Sequence, residues 1–168
     1  MTLVTTQIEE IEAQAEDLLA DAFGSSSLVP VPVNVNAIAA RLGLTIKQGM
    51  FLDPNISGRY EKAKQTIYIA EGEPPARQAF TVAHEIGHFM RHADLDQETY
   101  YRNPGFATTP DKALEQEANW FAASLLMPRA MVETYWSTTK NVATLADIFG
   151  VSHTAMLNRL RNLGLTQD

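Results

Sequence analysis

Between Ala79 and Met90 the apolar residues Ala79, Val82, Ala83, Ile86, Phe89 and Met90 recur three and four positions apart, which predicts a helix with one buried stripe. That helix carries the pentapeptide His84-Glu85-Ile86-Gly87-His88. Histidines four apart stand one turn from each other, with Cβ atoms about 5–6 Å apart, so both rings can reach a single ion. At about 100° per residue, His84 and His88 fall nearly opposite the centre of the stripe, with Glu85 and His92 beside them. The pattern therefore asks for a helix with one face in a core and the other on a cleft.

H-E-x-x-H on a helix is the signature of a zinc-dependent hydrolase. A neutral imidazole is a good Zn²⁺ ligand, with Zn–N near about 2.0–2.1 Å. Glu85, about a quarter turn from His84, can reach a water beside the metal rather than the metal itself, which suits a general base. Three of the four histidines in the chain share this polar side. The plain alternative is a solvated helix face that carries histidines by accident.

A catalytic zinc needs a third protein ligand and an open position. The chain has no cysteine, so the ligand must be a histidine or a carboxylate. Asp111 to Met127, DKALEQEANWFAASLLM, reads as a second helix with Leu114, Ala118, Phe121, Ala122 and Leu125 as its stripe, Asp111 as cap and Pro128 after its end. Glu115 lies at the edge of that stripe and Glu117 is displaced to the other side. A carboxylate near the buried edge is costly unless paired or metal-bound, which favours Glu115 as the ligand. Asn119, one turn on, is placed to hydrogen-bond a liganding group. Both glutamates as ordinary surface charges is the competing reading.

Metzincins extend the motif to H-E-x-x-H-x-x-G-x-x-H, but here Arg91 and Asp94 occupy the glycine and last-ligand positions. His92 is a poor third ligand, because three ligands along one straight helix would spread over about 12 Å between the outer Cα atoms. It reads instead as a helix C-terminal residue or a donor lining the cleft. Tyr60, Tyr100, Tyr101 and His92 are candidates for stabilising an oxyanion.

HEIGHFMRH followed by EQEANWFAASLLMP resembles the ImmA/IrrE family of metallopeptidases, as do PVNVNAIAARLGLTI and IYIAEGEPPARQAFTVAHEIGH, so the likeness covers roughly residues 30–165. The resemblance implies that His84, His88 and Glu115 hold zinc and that Glu85 is the catalytic base. The second motif of that family, Glu-x-Glu/Gln-Ala-Asn, puts Glu115 in the ligand slot and Glu117 in the variable one. The resemblance also implies a protein substrate: site-specific cleavage of a helix-turn-helix transcriptional repressor in a stress or mobile-element response.

The length of 168 residues predicts one domain over 1–168, with an N-terminal helix in 1–24, a catalytic core in 30–128 and a helical part in 129–168. No basic leader and no run of 18 apolar residues is present, which predicts a cytoplasmic protein with no membrane contact. A net charge of −7 argues against non-specific nucleic-acid binding.

Gln7–Phe23 reads as an amphipathic helix, and Asn34 or Asn36 as the cap of a short helix running to Leu42. Leu44–Leu52, Ser57–Glu61 and Gln65–Ala70 read as strands. Asp94–Pro110 reads as an irregular connection. Asn141–Phe149 and His153–Leu163, with Ser152 as cap, form a helix-turn-helix-like pair. Residues 129–168 carry four basic against three acidic side chains, too little for a phosphate footprint. Packing through Leu145, Ile148, Val151, Met156, Leu160 and Leu163 is the blander reading of that pair.

The expected fold is α+β: a small antiparallel sheet on the zinc-binding H-E-x-x-H helix, a second ligand helix and the C-terminal pair. Gln65–Ala70 is expected at the sheet edge, where an extended substrate could pair with it. Three functions fit: a zinc endopeptidase, a non-catalytic zinc-containing regulatory or toxin-like partner of a repressor, and a DNA-binding regulator acting through 141–163. Three protein ligands with an open position would favour catalysis, and a fourth ligand closing the site would favour structure.

Overall fold

The computed structural model describes residues 3–95 and 112–167, and residues 99–102 by their backbone. Helix α1, Thr5–Phe23, buries Ile11, Ala15, Leu18 and Leu19, the three- and four-residue spacing of a single face. Helix α2, Val35–Arg41, is started by Asn34, whose side chain accepts a hydrogen bond from the Ala37 amide at 3.0 Å. Strands β1 (Thr45–Gly49), β2 (Gly58–Glu61) and β3 (Thr66–Ala70) fall within the three runs rich in β-branched and aromatic residues.

Among the described residues the sheet has four strands in the order β1-β3-β2-β4, where β4 is Thr99–Arg102. It is mixed, not antiparallel: β1 runs parallel to β3 (Thr45 opposite Thr66), while β2 is antiparallel to β3 and to β4. The cause is topological. β2 and β3 form a hairpin across a 3₁₀ turn at Lys62–Lys64, and β3 inserts between β1 and β2. A strand placed between the two arms of a wide hairpin must run parallel to one of them.

Two further expectations change. β3 has neighbours on both sides, so Gln65–Ala70 is not an edge and has no free ladder for an added strand; β1 and β4 are the edges. β4 also places a strand inside Asp94–Pro110, which the sequence reads as irregular. The short TYYR run becomes a strand by pairing with β2 (Tyr60 opposite Tyr100). The rest of that connection, and Asp111 as a cap, lie outside the described residues.

Helix α3, Pro75–Arg91, lies between the sheet and α4, Lys112–Leu126. On the sheet side Val82 and Ile86 join Ile67 and Ile69 in the core; Phe121, Ala122 and Leu125 of α4 belong to the same core. Each large aliphatic or aromatic side chain buried there contributes about 1.5–3 kcal/mol. A glycine inside a helix costs about 1 kcal/mol relative to alanine, and Gly87 has a packing reason. A Cβ there would lie 3.1 Å from the Ala118 Cα and 3.3 Å from the Phe121 Cβ, so its absence lets α3 and α4 approach closely.

Helices α5 (Arg129–Thr139), α6 (Val142–Phe149) and α7 (His153–Asn162) complete the chain. The sequence reading did not assign α5. A three-residue turn separates α6 from α7, and the Ser152 side chain accepts from the Ala155 amide at 3.1 Å. Leu145, Val151, Met156 and Leu160 are buried in the common core. α7 is tied to α1 by Arg159, which donates to Glu12 at 2.8 Å and to the Met127 carbonyl at 3.0 Å, while Arg129 donates to the same carboxylate at 2.9 Å. Among the described residues, no helix is long and apolar enough to cross a membrane.

Candidate metal centre

The structure brings His84 and His88 of α3 against Glu115 of α4. His84 Nε2 lies 3.1 Å from His88 Nε2, 3.2 Å from one Glu115 oxygen, and His88 Nε2 is 3.0 Å from the other. Two imidazole nitrogens and a carboxylate thus converge on one point, and these atoms form the one candidate metal group among the described residues. Ligands around a tetrahedral zinc at the usual bond lengths stand about 3.3 Å apart. The donor set fits such an ion in type, number and spacing. Burial pushes the Glu115 carboxyl up, but hydrogen bonds from His84 and His88, aided by their charge, outweigh it and bring the pKa down to about 2.

Sequence reasoning expected the histidine face of α3 to look onto a cleft. Instead Thr81 through His88 are all buried, with His84, Glu85 and His88 at 0% exposure. The difference arises because α4 covers that face, laying Glu115, Glu117 and Asn119 over the histidines. The Glu115 side chain keeps 26% of its surface.

Each converging histidine is held from its far nitrogen. His84 Nδ1 meets the Asn119 side-chain oxygen at 2.9 Å, and His88 Nδ1 meets His92 Nδ1 at 2.9 Å. Glu117 points elsewhere, accepting from Arg91 Nε at 2.8 Å and lying 3.5 Å from His92 Nε2. Burial, then the charge of His88, pulls His92 down to about 4, against the opposing carboxylate of Glu117.

Glu85 sits under β2. A Cβ on Gly58 would collide with Thr81 Cγ2 and come within 3.3 Å of Glu85 Oε1, so only glycine lets the strand pass this close. The sequence reading missed Gly58; a glycine at the head of a β-rich run was the available signal. Tyr60, two residues on, is buried with its ring edge-on to Phe89 at 5.9 Å, and burial raises its pKa. That places it against the turn of α3 beyond Glu85. The side chains of Tyr100 and Tyr101 lie outside the described residues.

This arrangement, two histidines and a glutamate from adjacent helices with a buried glutamate beside them, has the donor set of an H-E-x-x-H metal site. Residues 39–161 match the IrrE N-terminal-like domain of the peptidase M78 family, and the chain belongs to that family. It is 31% identical over 107 residues to the radiation response metalloprotease IrrE of Deinococcus radiodurans, covering 61% of this chain and 33% of that protein. It is also 31% identical over 108 residues to the uncharacterized immunity region protein 2 of Bacillus phage phi105, covering 62% and 66%. The chain thus spans less than two thirds of the length of these relatives. A Mycobacterium tuberculosis transcriptional regulator shares the fold over 90% of this chain and 46% of its own, with a TM-score of 0.66 at 20% identity.

Proposed function

We propose that this chain is a zinc-dependent endopeptidase in which His84, His88 and Glu115 hold the ion and Glu85 is the general base. The observation that carries the reading is the convergence of three metal-type donors beside a second, buried carboxylate. Zinc bound there supplies a Lewis acid that polarises a peptide carbonyl and acidifies water. Glu85 accepts the proton of the attacking water and passes it to the leaving amine. Asn119 and His92 orient the two imidazoles, leaving each Nε2 lone pair aimed at the common point. Gly58 leaves Glu85 the space it occupies. Among the described residues three side chains would hold the ion, and a fourth position left open would be the arrangement of a catalytic rather than a structural zinc.

The proposed substrate is a protein, a helix-turn-helix repressor cut at one site. The family of the chain, a relative whose name ties it to the radiation response and another from a phage immunity region support this reading. A net charge of −7 favours encounter with a partner whose DNA-binding face is basic. The chain then works as one unit with residues 30–128 as its catalytic core, in the cytoplasm where repressors act. DNA binding through 141–163 has less support, because the α7 residues Met156, Arg159 and Leu160 are buried and Arg159 is engaged by Glu12.

The test is incubation of the zinc-loaded protein with the repressor encoded beside its gene, with Glu85→Gln in parallel. Two defined fragments from the wild type and none from the variant are expected, with little cleavage of casein. A stable complex without fragments would replace the peptidase by a regulatory or toxin-like binding partner.

A further inference from the structure

We propose that His92, backed by Glu117 and Arg91, is a positioning residue for His88 and sets how tightly and in what geometry the cation is held. The proposal rests on the reading of His84, His88 and Glu115 as the ligands. When Nε2 of a neutral imidazole faces a metal, its single proton sits on Nδ1. His88 Nδ1 lies 2.9 Å from His92 Nδ1. His88 must therefore donate there, and His92 must offer a lone pair. The proton of His92 is then on its Nε2, which faces a Glu117 oxygen 3.5 Å away. Glu117 is fixed in turn by Arg91 Nε at 2.8 Å, and Arg91 Nη1 donates to Gln14 of α1 at 3.1 Å. The run reads guanidinium, carboxylate, imidazole, imidazole, donor cluster: the Nδ1–Nδ1 bond sets both tautomers, and the carboxylate stands at ion-pair distance from His92.

The two histidine ligands are thus held differently. His84 donates to the neutral amide of Asn119, which is exposed at the surface. His88 donates to an imidazole polarised by a carboxylate, and both rings are buried. An acceptor of growing negative character on Nδ1–H makes the far nitrogen a stronger ligand. Depth matters too, since water cannot stand in for His92 as it can for Asn119. His92 also closes α3, its amide bonded to the His88 carbonyl at 2.9 Å. The helix end and the ring orientation are therefore set by one residue.

The test measures Zn²⁺ affinity of the full chain by competition with a chromophoric chelator, and the visible absorption of the Co²⁺-loaded protein. His92→Leu keeps the volume and removes the acceptor; His92→Asn keeps an oxygen near the position of Nδ1. Leu is expected to lower Zn²⁺ affinity 10- to 100-fold and to shift the Co²⁺ bands, a range typical of lost outer partners. Asn should recover most of both, and Glu117→Ala should lose about 3- to 10-fold. Wild-type affinity and bands in His92→Leu, or equal losses in Leu and Asn, would overturn the proposal. If the Leu variant does not fold, Glu117→Ala decides: unchanged affinity and bands overturn it. Glu115→Ala separates this from failure of the site itself. Retained stoichiometric metal there would mean that the ligands are misassigned, whereas lost metal beside unaffected His92 variants would remove only the positioning role.

Discussion

Around His84, His88 and Glu115 the donor atoms from two helices crowd within 3.0–3.2 Å of one another, whereas Glu12 sits between Arg129 and Arg159 with each oxygen already taken. Both are clusters of polar groups around a buried member, His84 and His88 in one and Arg159 in the other, and both join elements distant in sequence. They differ in how charge is balanced. Glu115 is met by imidazoles, which carry no fixed charge, and has a second carboxylate, Glu85, nearby on α3. Glu12 is met by guanidiniums, which are always charged. The first cluster presents lone pairs to a common point and has the donors that a cation would complete. The second completes itself, and its stake is stability. Burial of charge alone does not mark a functional site; the sign left over does.

The largest effect should come from emptying the first cluster. Glu115→Ala removes one of the three proposed ligands, so metal analysis of the purified protein should show zinc occupancy falling well below one per chain. Glu117→Ala should stay near one per chain in excess zinc. The reverse pattern would move the ligand to Glu117. Next in size is Glu85→Gln, which keeps zinc and the thermal midpoint while cleavage falls about 10²- to 10⁴-fold, the usual worth of a positioned proton acceptor. Lost metal in that variant would make Glu85 a ligand and break the contrast between the roles.

The second cluster should respond in the opposite currency. Glu12→Ala leaves two arginines facing each other, one of them with its side chain at 1% exposure. A loss of about 3–5 kcal/mol in denaturant unfolding is expected, with metal content unchanged at temperatures where the chain is folded. Smallest is the pH effect. Burial pushes the Glu12 carboxyl up, but hydrogen bonds and charge from Arg129 and Arg159 win, and its pKa falls below the ordinary 4.5. The folded value lies below the unfolded one. The contribution is therefore full above about 4.5 and is lost as pH drops through the folded value. Glu12→Gln should flatten that acid limb of the stability curve; an unchanged limb would assign it to other carboxylates.

Six of the seven helices among the described residues, and the meeting of His84, His88 and Glu115, were legible because their determinants are local. Three- and four-residue spacing marks α1, α3 and α4, and the edge of the α4 stripe separates Glu115 from Glu117. Asn34 and Ser152 cap helices by bonds to residues three positions on, also a local matter. What escaped depends on partners far along the chain. The direction of β1 follows from β3 being inserted beside it, and β4 from its ladder with β2. No periodicity in either segment encodes that. The burial of the histidine face follows from the register of α4 across α3, which also delivers Glu117 to Arg91 and His92. Gly58 has a local signal but a meaning visible only when β2 meets Glu85.

The bond between Glu12 and Arg159 joins positions 147 apart in sequence. Loops of that length are closed late, because chain entropy must be given up before the contact returns anything. On a ribosome, α1 emerges early and must wait for α7 before its carboxylate meets the second arginine. Contacts made after the folding barrier act on the rate of escape rather than of arrival. If the ion triad closes after that barrier, Glu12→Ala should speed unfolding far more than it slows folding.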